Sequence, residues 1–162
     1  MTDITYTYTA TERRDSQGAV FGKGDAANVK AVSVTVELAS AAQNSTTFIK
    51  RIPSNARILG LSTVYFDDLA SSGTPTMDIG LGSVDSNITS DPDALNDGIN
   101  ISSAAGSASL IKDIANYGKK AWEFVSGQTT DPSGSLDIYI SIVDAASNAT
   151  GTVTVELFYT TD

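Results

Sequence analysis

The 162-residue sequence contains no cysteine and no histidine. It therefore lacks the Ser-His-Asp and Cys-His catalytic sets and the usual zinc ligands. Without cysteine it also has no disulfide, so the fold must be stabilised by an apolar core or by association with other chains. These absences argue against the common hydrolase mechanisms, and the sequence predicts neither a cofactor nor a metal site.

Basic residues and long apolar runs are also scarce. Lys and Arg number 10 against 19 Asp and Glu, which gives a formal charge of −9. A nucleic-acid-binding protein relies on cations that neutralise phosphates, so this balance argues against a nucleic-acid partner. The chain has no apolar run long enough to span a membrane, and no basic segment followed by an apolar run at its start. We therefore expect no membrane partner and no secretory signal.

Alternation of apolar and polar residues dominates the sequence and predicts an all-β protein. The segment Ala56–Phe66 carries apolar residues on both alternating sets, which is typical of a strand covered on both sides. Turn residues predict two hairpins, one across Ser71–Pro75 and one joining the last two strands. The predicted strands are Ile4–Ala10, Val29–Leu38, Thr47–Ile52, Ala56–Phe66, a strand with Met77, Ile79 and Leu81, Ala121–Val125, a strand with Leu136, Ile138, Ile140 and Ile142, and Thr152–Thr160.

The middle of the chain is less regular. Gly82–Ser103 predicts a long loop, in which Asp91-Pro92 favours one helical turn over Asp93–Asn96. Ser107–Tyr117 fits a short helix and two short strands equally well. Asp85, Asp91, Asp93 and Asp97 offer calcium-type oxygens, but the EF-hand spacing is missing, which favours a solvated acidic loop.

Eight or nine strands at regular intervals predict an antiparallel two-sheet sandwich, jelly-roll-like, with at most one or two short helices. An open immunoglobulin-like sandwich is the alternative. We divide the chain into an N-terminal strand and arm over residues 1–28 and a β-sandwich domain over 29–162. The pentapeptide VTVEL occurs at Val34–Leu38 and Val153–Leu157, which is compatible with similar surroundings for the two segments.

Two sets of charged residues are candidates for function. The basic residues Arg13, Arg14 and Lys23 lie in the Gly-rich arm, where they would either help it grip a partner or be part of a solvated loop. Carboxylates on predicted strands lie opposite apolar rows, where solvent-facing residues are expected. A glycosidase needs two carboxylates facing each other, and the sequence pairs none of these five: Glu37, Asp78, Glu123, Asp137 and Glu156.

Five segments together resemble small structural proteins of tailed bacteriophages, including capsid decoration (cement) proteins. The resemblance covers Val29 to Asp162 and consists of strand and turn patterns without a chemical signature. Its segments are IPSNARILGLSTVYFDD with TMDIGLGS, DALNDGI, GKKAWEFV, and SLDIYISIVDAASNATGTVTVELFY.

The resemblance implies a non-enzymatic virion structural protein, made in the host cytoplasm. Such a protein forms a homotrimer, binds the major capsid protein on the outer face of the phage head, and stabilises the head. The alternatives are a carbohydrate- or receptor-binding β-sandwich module, which predicts exposed aromatic residues clustered on one face, and a tail or neck component of the virion.

Overall fold

The computed structural model describes residues 13–14, 20–21, 29–83 and 88–161. The described residues form eleven strands and two short 3₁₀-helices, over Ile114–Asn116 and Ala121–Phe124. No helix in these ranges is long and apolar enough to cross a membrane. The strands are β1 Arg13–Arg14, β2 Val20–Phe21, β3 Lys30–Ala39, β4 Thr46–Pro53, β5 Arg57–Ile58, β6 Thr63–Phe66, β7 Thr76–Ser83, β8 Asp91–Asn100, β9 Gly106–Ser109, β10 Ser135–Val143 and β11 Thr150–Thr160.

Two antiparallel sheets form the sandwich, which confirms the predicted fold class. One sheet has the order β4-β10-β7-β8, and the other has the order β3-β11-β6-β9 with β5 also paired to β11. If β5 and β6 are taken as one interrupted strand, the sandwich has eight strands. Counted in sequence, their orders are 2-7-4-5 and 1-8-3-6. This arrangement is the jelly roll, in which most connections pass from one sheet to the other.

Both predicted hairpins are wrong for the same reason. β6 and β7 belong to different sheets, and so do β10 and β11. The turn residues between each pair do reverse the chain, but they direct the next strand across the sandwich. Alternation and turn chemistry indicate where strands begin and end, while the pairing partner depends on contacts distant in sequence.

The predicted two-sided strand Ala56–Phe66 is also corrected. It is broken by a turn at 60–61, and only one side is covered. Val64 is fully buried, whereas Leu61 is 56% exposed and Tyr65 44% exposed. The second set of apolar side chains, which includes Leu61 and Tyr65, therefore lies on the surface and is not covered by another layer.

The apolar rows of the long strands meet in one core between the sheets. Thr35 and Thr154, the threonines of the two VTVEL segments, are register partners in β3 and β11, with 2.8 Å between their hydroxyl oxygens. The repeated pentapeptide thus forms an antiparallel pair on one sheet. The largest fully buried side chains are Ile52, Ile58, Leu69, Met77, Ile79, Leu81, Ile101, Leu110, Ile111, Leu136, Ile138 and Ile140.

Strand β8 replaces the predicted loop and helical turn. Its pairing with β7 shifts register at two points, so its buried residues, including Leu95 and Ile99, do not alternate strictly. Because of these bulges, the sequence of β8 does not show the alternation of apolar and polar residues that predicts a strand. Ala121–Val125, predicted as a strand, forms a 3₁₀-helix over Ala121–Phe124, and Ser107–Tyr117 contains the end of β9 and the other 3₁₀-helix.

Candidate partner-binding surface

The antiparallel register gives the sandwich two distinct ends. We call the end where β3 begins and β11 finishes the proximal end; there Lys30, Tyr159 and Ile58 are neighbours across three strands. It includes residues 29–30, 54–62, 110–134 and 159–161. The opposite, distal end consists of the connections 40–45, 67–75, 101–105 and 144–149. The two ends differ in chemistry as well as in position.

The proximal end exposes large apolar side chains. Ile114 is 77% exposed, Val29 and Leu61 are each 56% exposed, and Tyr117 is 42% exposed. These four residues are most of the six large apolar side chains exposed in the described part of the chain; the other two are on strands. Clustered exposed apolar residues mark interaction surfaces in soluble proteins.

The exposed apolar residues rest on a fixed backbone. The Tyr117 ring lies directly over Gly60, where a side-chain carbon would overlap it. The Arg57 guanidinium donates a hydrogen bond to the Gly118 carbonyl, and the Ala121 amide donates to the Ala56 carbonyl at 2.7 Å. The segment that carries Ile114 and Tyr117 is therefore anchored to the β5–β6 connection and presents a defined surface.

Cations also gather at the proximal end. Lys119 is exposed and is followed by Lys120, whose backbone bridges to Arg57. The Lys30 ammonium lies 5.7 Å from the centre of the Tyr159 ring, a cation–π contact. In a chain with a formal charge of −9, the proximal residues carry five cations and the three carboxylates Asp113, Glu123 and Asp131, so this end is slightly basic.

The distal end has the opposite character. Its four connections contain no Lys or Arg and carry three carboxylates, Asp67, Asp68 and Asp144. Leu69 and Ile101 turn inward and are fully buried. The remaining residues are mostly Ala, Ser, Gly, Asn and Thr, so this end offers no large exposed apolar side chain in the described residues.

Hydrogen bonds join the distal connections to one another. The Asn148 carboxamide accepts from the Ser71 amide at 2.7 Å and donates to the Ser72 carbonyl at 3.0 Å. The buried Ser147 hydroxyl donates to the Leu69 carbonyl at 2.9 Å. Asp67 accepts from the Thr152 amide at 2.7 Å, and this bond lowers the pKa of the Asp67 carboxyl. These contacts join the distal connections and contribute to stability.

The carboxylates singled out from the sequence have separate structural roles. Asp78 was expected to face solvent, but β8 covers it, and its carboxylate accepts from the Gly98 amide at 2.7 Å. Burial raises the pKa of Asp78, and the neighbouring carboxylates add to the shift. Asp137 pairs with Arg51 in β4, and Glu123 accepts from the Lys120 amide in the second 3₁₀-helix.

The acidic loop considered for calcium is mostly strand β8. Asp91 hydrogen-bonds Asp93, which raises the pKa of Asp93. The Lys112 ammonium lies 3.4 Å from an Asp97 oxygen. Among the residues the structure describes, no three carboxylates are grouped to hold a metal ion. Asp85 lies outside those residues.

The predicted partner-binding residues stay predictions. Arg13 and Arg14 form β1, which pairs with β2, but their side chains and Lys23 lie outside what the structure describes. Sequence reasoning missed Ile114, Leu61 and Lys119 as surface candidates. The only available signal was Lys119-Lys120 in an acidic chain.

Comparison with solved structures finds a neighbour of the same fold. No protein-family model matches the chain, and no curated protein sequence matches it. A chain of the structure described as "Cyanophage Pam1 capsid asymmetric unit" superposes with a TM-score of 0.55 at 21% sequence identity. The match covers 98% of this chain and 100% of that chain. The two chains therefore share a fold.

Proposed function

We propose that this chain is a virion structural protein, a decoration or cement protein that binds the outer face of a tailed-phage head. It performs no catalysis, acts as a homotrimer, and has the major capsid protein as its partner. The single observation that carries the proposal is the full-length match to a chain of a phage capsid asymmetric unit. The sequence resemblance to phage head proteins points the same way.

The proximal end is the surface best suited to contact the capsid. It combines exposed Ile114, Leu61 and Tyr117 with a group of cations. Apolar residues at the centre of a contact with charges at its rim are typical of protein–protein interfaces. The partner surface would accordingly be apolar in part and acidic. The arm that carries Arg13, Arg14 and Lys23 joins the domain at this same end, before Val29.

Stabilisation follows from mass action. A protein that binds the assembled lattice, and does not bind free capsid subunits, shifts the equilibrium towards the lattice. Three linked copies that bind neighbouring sites gain effective concentration at each contact, so modest individual contacts give a long-lived complex. No chemical step is needed for this function.

The test is binding of the purified chain to empty heads of the phage that encodes it. We expect the chain to sediment with expanded heads at a fixed stoichiometry and to raise the temperature at which those heads rupture. Native mass spectrometry of the free protein should give a trimer. Binding to isolated tails and not to heads would contradict the decoration role, as would unchanged head stability at saturation.

A further inference from the structure

A β-bulge turns an aromatic residue of β4 outward. Arg51 faces Asp137 and Phe48 faces Tyr139 on β10, with a register shift between Ile138 and Tyr139. Arg51 and Phe48 are three residues apart, so in a regular strand their side chains would point to opposite faces. The extra residue in β4 places both on the outer face. Without the bulge, Phe48 would point into the core; with it, Phe48 is 56% exposed on the outer face. Bulges that re-aim a side chain are common beside functional sites.

Phe48 and Tyr139 line an open groove of about 370 Å³ on this outer face. The Tyr139 ring lies against Gly82, where a side-chain carbon would come within 3.1 Å of it, so the glycine forms the low floor of the groove. The volume falls in the range typical of small-ligand sites. The lining residues are Thr46, Phe48, Gly82, Ser90, Asp137 and Tyr139.

The carboxylate of the groove is held in position. Arg51 donates two hydrogen bonds to the Asp137 carboxylate, at 2.7 and 2.9 Å. A carboxylate has further lone pairs, so Asp137 still accepts hydrogen bonds from a ligand hydroxyl. The hydroxyls of Thr46 and Ser90 lie at the same groove. The arrangement is two aromatic rings beside a carboxylate fixed by Arg51 and two hydroxyl-bearing residues.

The charge of the surroundings selects against anions. Asp137 is neutralised by Arg51, but Asp91 and Asp93 on β8, two strands away across β7, act on the Tyr139 hydroxyl. Burial raises the pKa of Tyr139, and these two carboxylates raise it further. A phosphate or an acidic sugar would be repelled in the same way, so the preferred ligand carries no negative charge.

We propose that this groove binds a neutral sugar residue of a glycan. A pyranose ring offers an apolar C–H face that stacks on an aromatic ring, and a rim of hydroxyl groups that hydrogen-bond to carboxylate and hydroxyl side chains. Phe48 and Tyr139 supply the first kind of contact, and Asp137, Thr46 and Ser90 supply the second. This activity is separate from capsid binding in its contacts, because the groove is on the outer face of the β4-β10-β7-β8 sheet and includes none of the four exposed apolar residues of the proximal end.

The test is a glycan array probed with the purified full-length chain, followed by isothermal titration with the best neutral oligosaccharide. We expect binding to neutral glycans, and a loss of affinity of at least about tenfold in Phe48→Ala, the effect of removing an aromatic contact residue. Tyr65→Ala is the matched control, since Tyr65 is an exposed aromatic residue on the other sheet. It should bind as the wild type does.

Three results of the glycan measurements would overturn the proposal. They are no binding to any neutral glycan at millimolar concentration, equal binding by Phe48→Ala and the wild type, and preference for sialylated or sulfated glycans. Thermal unfolding of each variant keeps the test sound, because a folded Phe48→Ala protein that loses binding supports a contact role. Asp137→Asn provides a second variant, expected to weaken binding while Tyr139 still stacks. Capture of a capsid peptide by the groove, abolished in Phe48→Ala, would also overturn the sugar assignment.

Discussion

The two ends of the sandwich use their connections differently. At the distal end, short connections bury Leu69 and Ile101 and bond to one another through Asn148. At the proximal end, a long connection with two 3₁₀-helices holds Ile114 and Lys119 out to solvent. The contrast teaches that distal residues contribute to folding and proximal residues are available for binding.

The largest expected effect comes from reversing the proximal chemistry. The double variant Ile114→Asp with Lys119→Glu removes an exposed apolar contact and turns a cation into an anion. We expect head affinity to fall roughly a hundredfold, on the order of 3 kcal/mol. Because both side chains are exposed, the free energy of unfolding should change by no more than about 0.5 kcal/mol. Co-sedimentation over a concentration series and urea unfolding measure the two quantities.

A distal triple variant is the matched control for this change. Thr74→Asp, Ala104→Asp and Ala105→Glu add the same three negative charges at exposed positions of the distal end. Head binding should stay at the wild-type level. A comparable loss in both variants would show that total charge, and not the proximal surface, governs binding.

The distal end should show the reverse pattern in Asn148→Ala. The substitution removes the hydrogen bonds that join 144–149 to the Ser71–Ser72 backbone. We expect a loss of about 1–2 kcal/mol in the free energy of unfolding, since the bonded groups are left to water or unpaired. Head affinity should not change. Gln43→Ala, at an exposed position of the same end, is the control and should stay within about 0.5 kcal/mol; an equal loss there would remove the special role of Asn148.

A smaller effect, on stability, is expected from the proximal cation Lys30, which contacts the Tyr159 ring. Lys30→Gln removes the cation–π contact with Tyr159 and should cost about 0.5–1 kcal/mol of stability. Thermal unfolding compared with Lys50→Gln, a cation on β4, measures this contribution. If Lys30→Gln unfolded the domain, proximal cations would be structural, and the division between the two ends would be wrong.

The smallest effect is the pH dependence of stability that the distal residue Asp67 contributes. The folded-state pKa of Asp67 lies below its ordinary value of 3.8, because its carboxylate accepts hydrogen bonds from Thr152. Such a group stabilises the fold above the unfolded-state pKa, and the stabilisation is lost as the pH falls through the folded pKa. The difference between wild type and Asp67→Ala in urea midpoint should therefore be largest at pH 7 and shrink below pH 3.8. A difference constant down to pH 2.5 would contradict this assignment.

The positions of the long strands could be predicted from the sequence, because their buried residues alternate with exposed ones. The row of Val32, Val34 and Val36 predicted β3 within one or two residues, and the same holds for β10 and β11. Where bulges break the alternation, as in β8, the prediction failed. Partner strands were not predictable, because both supposed hairpins depend on which sheet the next strand joins.

The candidate binding surfaces were harder to predict from the sequence. Ile114 and Leu61 belong to the same residue types as the core, so only the fold shows that they are exposed. The outward position of Phe48 depends on a bulge that alternation in β4 does not reveal. Charge alone drew attention to Arg13, Arg14 and Lys23, whose role stays a prediction.

The measurement that tests the central claim most directly is a cryo-EM density map of the intact virion with this chain placed in it. We predict the sandwich on the head exterior, with Ile114 and Lys119 against the capsid shell and Asn148 facing solvent. Density for the chain in the tail, or on the head with the distal connections against the shell, would contradict the account.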